Sequence, residues 1–548
     1  MTLLAPYNDY DAFAQTYQRE PLDQYNFVDV IDAHARDPQR LALIWTNAAG
    51  DERRLTFADI AAESARLAHA LCEHGFGKGE RALIMLPRSP EWAIASLAIL
   101  RLGGVTSSCV TMLQEKDLAH RIVAAEPTVI ITDAANAGKF EGVADKVAIK
   151  IATDDVSGWL SYADVIAEQS TAFANEPLAW DDPASLYFTS GSTGLPKGVL
   201  HGGHFAHYMR EMAAYWLDLN AMDANDLLWC TADTGWALAA TGWLVGPWLA
   251  GVACFVHDGP FDPVKRLELM ARYGVTVFCA PATELRWIVN VPFDAFDLNK
   301  LRLTVSTGET LDAATAERWI AASKQRLHEA YGQTESFMTI GTVCGMDIRP
   351  GSMGKAFPGF EIAILDQDNF AVAPADAVGH IGIRAPTRAL MLRYWRDPEQ
   401  TEAMFRDGPD GRWFVTGDLA RRDAEGYFYY EGRADDLINS AGYRIGPSEV
   451  EAAIMEHPAV VDCAAVGSPD AQRGEVVKAF IVLRDDWSGE RGAALEAAIQ
   501  DHVKQATAPY KYPRRIEFVS ELPRTPTGKV RRKTLRDQEY AAFKASNT

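Results

Sequence analysis

Apolar runs alternate with amphipathic ones along the first 330 or so residues. RALIMLP (81–87) reads as a strand and is followed by the helix-like SPEWAIASLAILRLGG (89–104). TVIITD (128–133), VTVFCAPA (275–282) and LRLTVSTG (301–308) are further strand-like runs, the last leading into the amphipathic LDAATAERWIAA (311–322). Such alternation predicts a parallel sheet covered by helices, with functional groups at the carboxyl ends of the strands. From about 340 to 432 the helical period fades. Short strands broken by glycine and proline replace it, in GSMGKAFPGFEIAILD (351–366), GHIGIRAP (379–386) and GYFYYEGR (426–433), and predict a distorted β-barrel. Beyond Arg433, EVEAAIMEHPAVVDCAAVG (449–467), VVKAFIVLRD (476–485) and GAALEAAIQDHVKQ (492–505) predict a compact α+β unit of roughly 110 residues. The expected fold is α/β. A large domain over 1–432, of helix-covered parallel sheets plus the barrel, meets a small α+β domain over 437–548 at GRADD, Gly432–Asp436.

Composition narrows the class. The 548 residues, 48% hydrophobic and 23% charged, are ordinary globular material, too long for one core and enough for about three or four folding units. The apolar tract Thr241–Val256 is interrupted by Gly242, Gly246, Pro247 and Gly251 and falls short of the ~20 residues of a membrane helix. It reads as a buried helix and strand, so no membrane insertion is expected. Seven cysteines without a CxxC pair argue against a disulfide framework or a zinc site. The N-terminal MTLLAPYNDYDAF lacks a basic lead into an apolar run, so a cytoplasmic location is expected. A net charge of −21 disfavours nucleic acid as a partner. Between Lys504 and Arg536, however, ten Lys or Arg face two acids, Glu517 and Glu521. That surplus reads either as a solvated face or as a seat for the phosphates of an anionic cofactor.

The segment YFTSGSTGLPKG (187–198) runs from an apolar lead, Ala184–Phe188, into a loop built for a polyphosphate. Gly191, Gly194 and Gly198 allow close backbone approach, Thr189, Ser190, Ser192 and Thr193 supply donors, and Lys197 adds a cation. Pro196 before that lysine and Gly198 after it exclude a Walker A loop. A surface turn rich in serine and glycine is the competing reading of this loop taken alone.

Four other segments stand in order after it: YGQTES (331–336), RWFVTGDLARRDAEGYFYYEGRADDLINSAGYRIGPSEVE (412–451) as two consecutive motifs, and PRTPTGKVRRKTLR (523–536). Together the set resembles the adenylate-forming superfamily, which comprises acyl-CoA synthetases, luciferases and nonribosomal-peptide adenylation domains, over residues 25 to 540 or so. The resemblance implies ATP, Mg²⁺ and coenzyme A as cofactors. It places Thr189, Ser190, Gly191, Ser192, Thr193, Gly194 and Lys197 on the phosphates, Gly308, Glu309 and Thr310 along adenine, and Tyr331, Gln333 and Arg444 around the nucleotide. Asp418 would accept the ribose hydroxyls, with Arg433 on ribose or phosphate.

Glu335 would be the magnesium carboxylate, since Mg²⁺ takes only one or two carboxylates plus substrate oxygens, with Thr334 beside it on the phosphate. Lys529 matches the catalytic lysine. When a carboxylate attacks the α-phosphate both reactants are anionic, and a positioned cation stabilises the transition state. Asp435 matches the residue about which a mobile C-terminal domain swings to admit a thiol. Ala441, Gly442 and Lys504 would meet coenzyme A, although the family commonly has serine at the position of Ala441.

Trp236, Ala237, Leu238, Ala280 and Gly332 would line an apolar acyl tunnel, as in the medium-chain acyl-CoA synthetase branch. Acetyl-specific relatives carry tryptophan where this chain has Gly332. The expected substrate is a short- to medium-chain carboxylic acid, activated as its adenylate and passed to coenzyme A. An aromatic or branched acid–CoA ligase, a stand-alone enzyme that loads a carrier protein, and a nucleotide sensor without chemistry are the alternatives. His201, His204 and His207, three residues apart, suit metal chelation poorly if helical and are expected to be helix and pocket residues. A homo-oligomer and a lysine acetyltransferase acting on Lys529 are further expected partners.

Overall fold

The computed structural model describes residues 9–18, 23–189, 196–218, 226–440, 443–470, 472–484, 487–489, 492–525 and 529–546. Four sheets organise them. The first has nine strands in the order 355–356, 337–341, 326–333, 303–307, 277–279, 227–230, 253–258, 41–47 and 52–56, with a parallel centre and antiparallel ends. The second has eight, ordered 393–394, 197–202, 183–189, 105–108, 81–85, 129–132, 149–152 and 160–161; it is parallel except where 197–202 pairs with its two neighbours. Parallel sheets covered by helices are what the alternating pattern predicts.

The helix Pro90–Arg101 shows why these sheets share one core. Every residue except Glu91 is buried, as expected for a helix that is apolar all round. Trp92 stacks on Trp243 with ring centroids 4.6 Å apart, joining the second sheet's helix to the segment Ala240–Val245 beside the first. Buried Arg101 is tolerated because Asp32 takes its guanidinium in two hydrogen bonds, at 2.9 and 2.6 Å. The tract Thr241–Val256 folds as a buried helical stretch and the strand Ala253–Asp258, and no helix among the described residues is long and apolar enough to cross a membrane.

Where a distorted barrel is expected, the strands 362–365, 379–384, 411–422 and 405–408 form an antiparallel sheet with 428–433 added beside 411–422. Among the described residues its edges do not pair with each other, so it stays open. The fourth sheet joins 443–445, 438–440, 474–483 and 460–470, with 515–518 parallel to 474–483. It has its own core, in which Ile438, Val450, Ile454, Ile481, Ile499 and Val503 are buried together.

Candidate active site

Three distant segments meet at the end of the strand Pro183–Thr189. Thr189 lies opposite Lys197, the first residue of the returning strand Lys197–Gly202. Ser190, Gly191, Ser192, Thr193 and Gly194 between them lie outside the described residues. Lys197 Nζ sits 5.4 Å from the centroid of the Tyr394 ring. Tyr394 is held against the same strand, opposite Val199, and its hydroxyl donates to Glu335 Oε1 at 2.6 Å.

The turn carrying Thr334 and Glu335 is gripped from both sides. Met391 N donates to the Glu335 carbonyl at 2.7 Å, and His201 Nε2 donates to the Thr334 carbonyl at 2.7 Å. Burial pushes the His201 pKa down to about 3, so the ring is neutral, and its Nε2 proton is set by that carbonyl. His201 is on a strand, whereas His204 precedes and His207 belongs to the helix Phe205–Glu211. The single-helix geometry expected for the three histidines is therefore corrected.

Asp418 is the centre of a second cluster. It is 4% exposed, and both its carboxylate oxygens are engaged. Tyr331 and Gln333 each donate to Oδ2 at 2.6 Å, while Arg433 and Tyr430 approach Oδ1 at 3.2 and 3.3 Å. Backbone register explains the convergence: Asp418 lies opposite Arg433 across the pair 411–422 and 428–433. Tyr331 and Gln333 share a face of the strand Arg326–Gln333 because side chains alternate. Glu329 is on that face too, and burial, reinforced by the charge of Asp312, pushes its carboxyl up to about 8.

Gly308, with φ of +91°, turns the chain out of the strand Leu303–Thr307 in a conformation that suits glycine. The following Glu309 accepts from Thr283 N at 2.6 Å. Arg286 donates to the Thr310 carbonyl at 2.7 Å and to Asp312 Oδ2 at 2.9 Å, and Asp312 caps the helix Ala313–Ser323. The turn Gly308–Thr310 is thus stiffened from outside.

The C-terminal residues are placed differently. Lys529 is exposed, and no ion pair to it is found among the described residues. Its backbone is held by Thr525, whose amide donates to the Lys529 carbonyl at 2.7 Å and whose hydroxyl oxygen accepts from the Lys529 amide at 3.2 Å. Arg524, on the same hairpin, pairs with Asp462. Asp462 in turn feels the charges of Arg286 and Glu309, which roots the hairpin near the turn Gly308–Thr310. In the segment 433–436, Arg433 Nε donates to Asp435 Oδ1 at 3.2 Å, and Arg536 holds the Asp435 carbonyl and Asp436 Oδ1, each at 3.1 Å.

Several expectations change here. The basic surplus between Lys504 and Arg536 is largely neutralised by Asp501, Glu449, Asp470, Asp462, Glu451 and Asp436. Lys504 itself is 2.8 Å from Asp501 and lies over the Tyr512 ring. Ala441 and Gly442 are outside the described residues, and of Arg444 only the backbone, opposite Asn439, is described. Gly332 opens no tunnel: a Cβ there would stand 1.8 Å from the Phe337 carbonyl oxygen, so the glycine serves the tight pairing of 326–333 with 337–341. Leu238 and Ala280 belong to different core clusters. Trp236 packs beside Ala237 and Leu238 just before a short helix, and its buried Nε1 has no partner among the described residues. A cavity of about 10 Å³, room for one water, lies behind the hairpin among Met209, Met212, Phe337 and Met338.

Residues 31–395 match the family described as AMP-binding enzyme, and residues 449–529 match its C-terminal domain. The chain belongs to the AMP-binding enzyme family. This AMP-binding enzyme is 39% identical over 521 residues to the uncharacterized acyl-CoA ligase YtcI of Bacillus subtilis, covering 94% of this chain and 96% of that one. It is 36% identical over 552 residues to the mitochondrial acyl-coenzyme A synthetase ACSM3 of Mus musculus, covering 97% and 94%. Among solved structures, the anthranilate CoA ligase AuaEII in complex with anthranoyl-AMP is similar at 29% identity with a TM-score of 0.86, covering 97% of this chain and 99% of that one. The AMP-binding enzyme is an acid–thiol ligase that uses ATP and coenzyme A on small carboxylic acids.

Sequence reading missed four side chains at these clusters: His201 as the Thr334 clamp, Arg286, Tyr394 and Tyr430. The only signal for Tyr430 is its alternation with Phe428 in GYFYYEGR, which gives its strand but not its partner.

Proposed function

We propose that this enzyme joins a short- to medium-chain carboxylic acid to coenzyme A in two steps. The acid's carboxylate attacks the α-phosphorus of ATP, forming the acyl–phosphate bond as pyrophosphate leaves. The coenzyme A thiol then attacks the acyl carbon, and AMP departs with the bonding electrons. The observation that carries this reading is the four-donor enclosure of Asp418, beside a lysine–phenol–carboxylate series at Lys197, Tyr394 and Glu335. An ionised carboxylate is an acceptor-only group suited to vicinal ribose hydroxyls.

In this reading Lys197 and Thr189, with Ser190 to Gly194, hold the β- and γ-phosphates, and Thr334 meets the α-phosphate. Gly308 to Thr310 lie along adenine, Tyr331, Gln333 and Arg433 orient Asp418, and Arg444 joins them near the active site. Glu335 would hold magnesium. The donor set fits, because a lone carboxylate with a neighbouring hydroxyl suits an ion that keeps mostly phosphate and water ligands, and no group of three or more His, Cys, Asp or Glu able to hold a metal is found among the described residues. When bound, the ion offsets charge on the phosphate oxygens.

Lys529 supplies the cation for the first step, and rotation about the segment 433–436 withdraws it for the second, when Ala441, Gly442 and Lys504 meet coenzyme A. Trp236, Ala237 and Leu238 remain the acyl-side candidates. Acetylation of Lys529 by a lysine acetyltransferase would remove the needed charge; its exposure suits such a modification. We place the enzyme in the cytoplasm and allow for a homo-oligomer.

An aromatic acid is the second reading, favoured by the likeness to an anthranilate CoA ligase. A panel of C2 to C12, branched and aromatic acids, scored by AMP release with coenzyme A present, separates the two. Each methylene accepted contributes about 0.8 kcal/mol of burial, so a graded chain-length profile supports the first reading. Release of AMP only with a separate carrier protein would reject coenzyme A as acceptor.

A further inference from the structure

Tyr394 stands between two groups of opposite charge while belonging to neither of their motifs. Its hydroxyl donates to Glu335 Oε1 at 2.6 Å, and its ring face lies 5.4 Å from Lys197 Nζ. The side chain therefore uses two separate parts, a polar edge and a π face. It is 4% exposed and is fixed by backbone pairing opposite Val199, on the strand that begins with Lys197. Its segment grips the Glu335 turn a second time, through the Met391 amide at 2.7 Å. No ion pair joins Lys197 to Glu335 among the described residues, although one lies over the Tyr394 ring and the other accepts from its hydroxyl. A direct pair would neutralise each group against the other and withdraw both from a ligand.

We propose that Tyr394 is a positioning residue for the adenylation step: its hydroxyl orients the Glu335 carboxylate toward magnesium, and its ring holds Lys197 apart from that carboxylate and toward the polyphosphate. This rests on the reading of Glu335 as the metal carboxylate. A hydrogen bond on Oε1 restricts the carboxylate rotamer and leaves Oε2 to face the metal, the usual work of a donor placed behind a ligand. The π face attracts the ammonium without consuming its charge.

The two parts can be removed one at a time. Tyr394→Phe keeps the ring and deletes the hydroxyl; Tyr394→Leu deletes both. Mn²⁺ replaces Mg²⁺, its binding to the enzyme–ATP complex is followed by electron paramagnetic resonance, and ATP affinity is measured by calorimetry in EDTA. Tyr394→Phe is expected to weaken Mn²⁺ about tenfold, with the loss confined to the metal. Tyr394→Leu is expected to weaken metal-free ATP binding as well, by about two- to fivefold. Wild-type Mn²⁺ affinity in Tyr394→Phe, with the affinity lost in Glu335→Gln, overturns the proposal and leaves the metal reading standing. Wild-type Mn²⁺ affinity in Glu335→Gln overturns both.

Discussion

The Asp418 cluster and the Lys529 hairpin are the two charged regions on which the proposed chemistry depends, and they are built in opposite ways. Asp418 is 4% exposed and held by Tyr331, Gln333, Tyr430 and Arg433. Lys529 is exposed, with no ion pair among the described residues, and its backbone is held by Thr525 on a hairpin that Arg524 ties to Asp462. A recognition group profits from preorganisation, because its partners need no rearrangement when the ligand arrives. A cation that must act in one step and be absent from the next profits from having little to break. Between them, Arg433 touches both Asp418 and Asp435, so one guanidinium links the enclosed site to the segment 433–436.

That contrast can be broken at either end. Lys529→Ala has the largest expected effect: pyrophosphate exchange falls by about 10²–10³-fold, while thioester formation from supplied acyl-adenylate is retained. Equal loss in both half-reactions would mean that the hairpin is structural. Asp418→Asn keeps the shape but removes the charge, and ATP affinity, measured by calorimetry, is expected to fall by about 1.5–3 kcal/mol. Arg536→Ala removes the grip on the Asp435 carbonyl and Asp436. Such a partly buried pair contributes about 1 kcal/mol, so stopped-flow measurement of the step between adenylate and thioester is expected to change by up to about fivefold.

A separate effect is expected on stability rather than on the half-reactions. The Glu329 carboxyl has a folded-state pKa raised to about 8, so the native state holds its proton more tightly than the unfolded chain does. Stability from this group is therefore lost as pH rises from the ordinary carboxylate range to about 8. Glu329→Gln is expected to be more stable than wild type above about pH 8 and to match it near pH 4. Parallel melting curves at both pH values check this, and a constant difference would show that the carboxyl does not titrate with folding.

The fold was largely legible because alternating apolar and amphipathic runs follow directly from sheets covered by helices. The open sheet over 362–433 was not. Short glycine-broken strands announce antiparallel pairing but not whether the last edge meets the first, which depends on strand tilt and neighbours. Within the site, Lys197, Thr334, Glu335 and Asp418 stand in compact motifs, and it is the resemblance of those motifs to the family's that singles them out. Tyr394 and Tyr430 could not, because a tyrosine in an apolar strand reads as core until a distant carboxylate is brought to its hydroxyl. Gly332 shows the reverse error: an absent side chain suggests space, yet the Phe337 carbonyl fills it. The basic tail likewise reads as surplus charge only while Glu449, Glu451 and Asp462 are out of sight.

The most direct test is a crystal structure of the enzyme with a non-hydrolysable acyl-adenylate analogue and no coenzyme A. The account predicts the Lys529 ammonium within hydrogen-bonding distance of the acyl–phosphate linkage and Asp418 on the ribose hydroxyls. An analogue seated on Asp418 with another cation at the linkage, and Lys529 still in solvent, would contradict it.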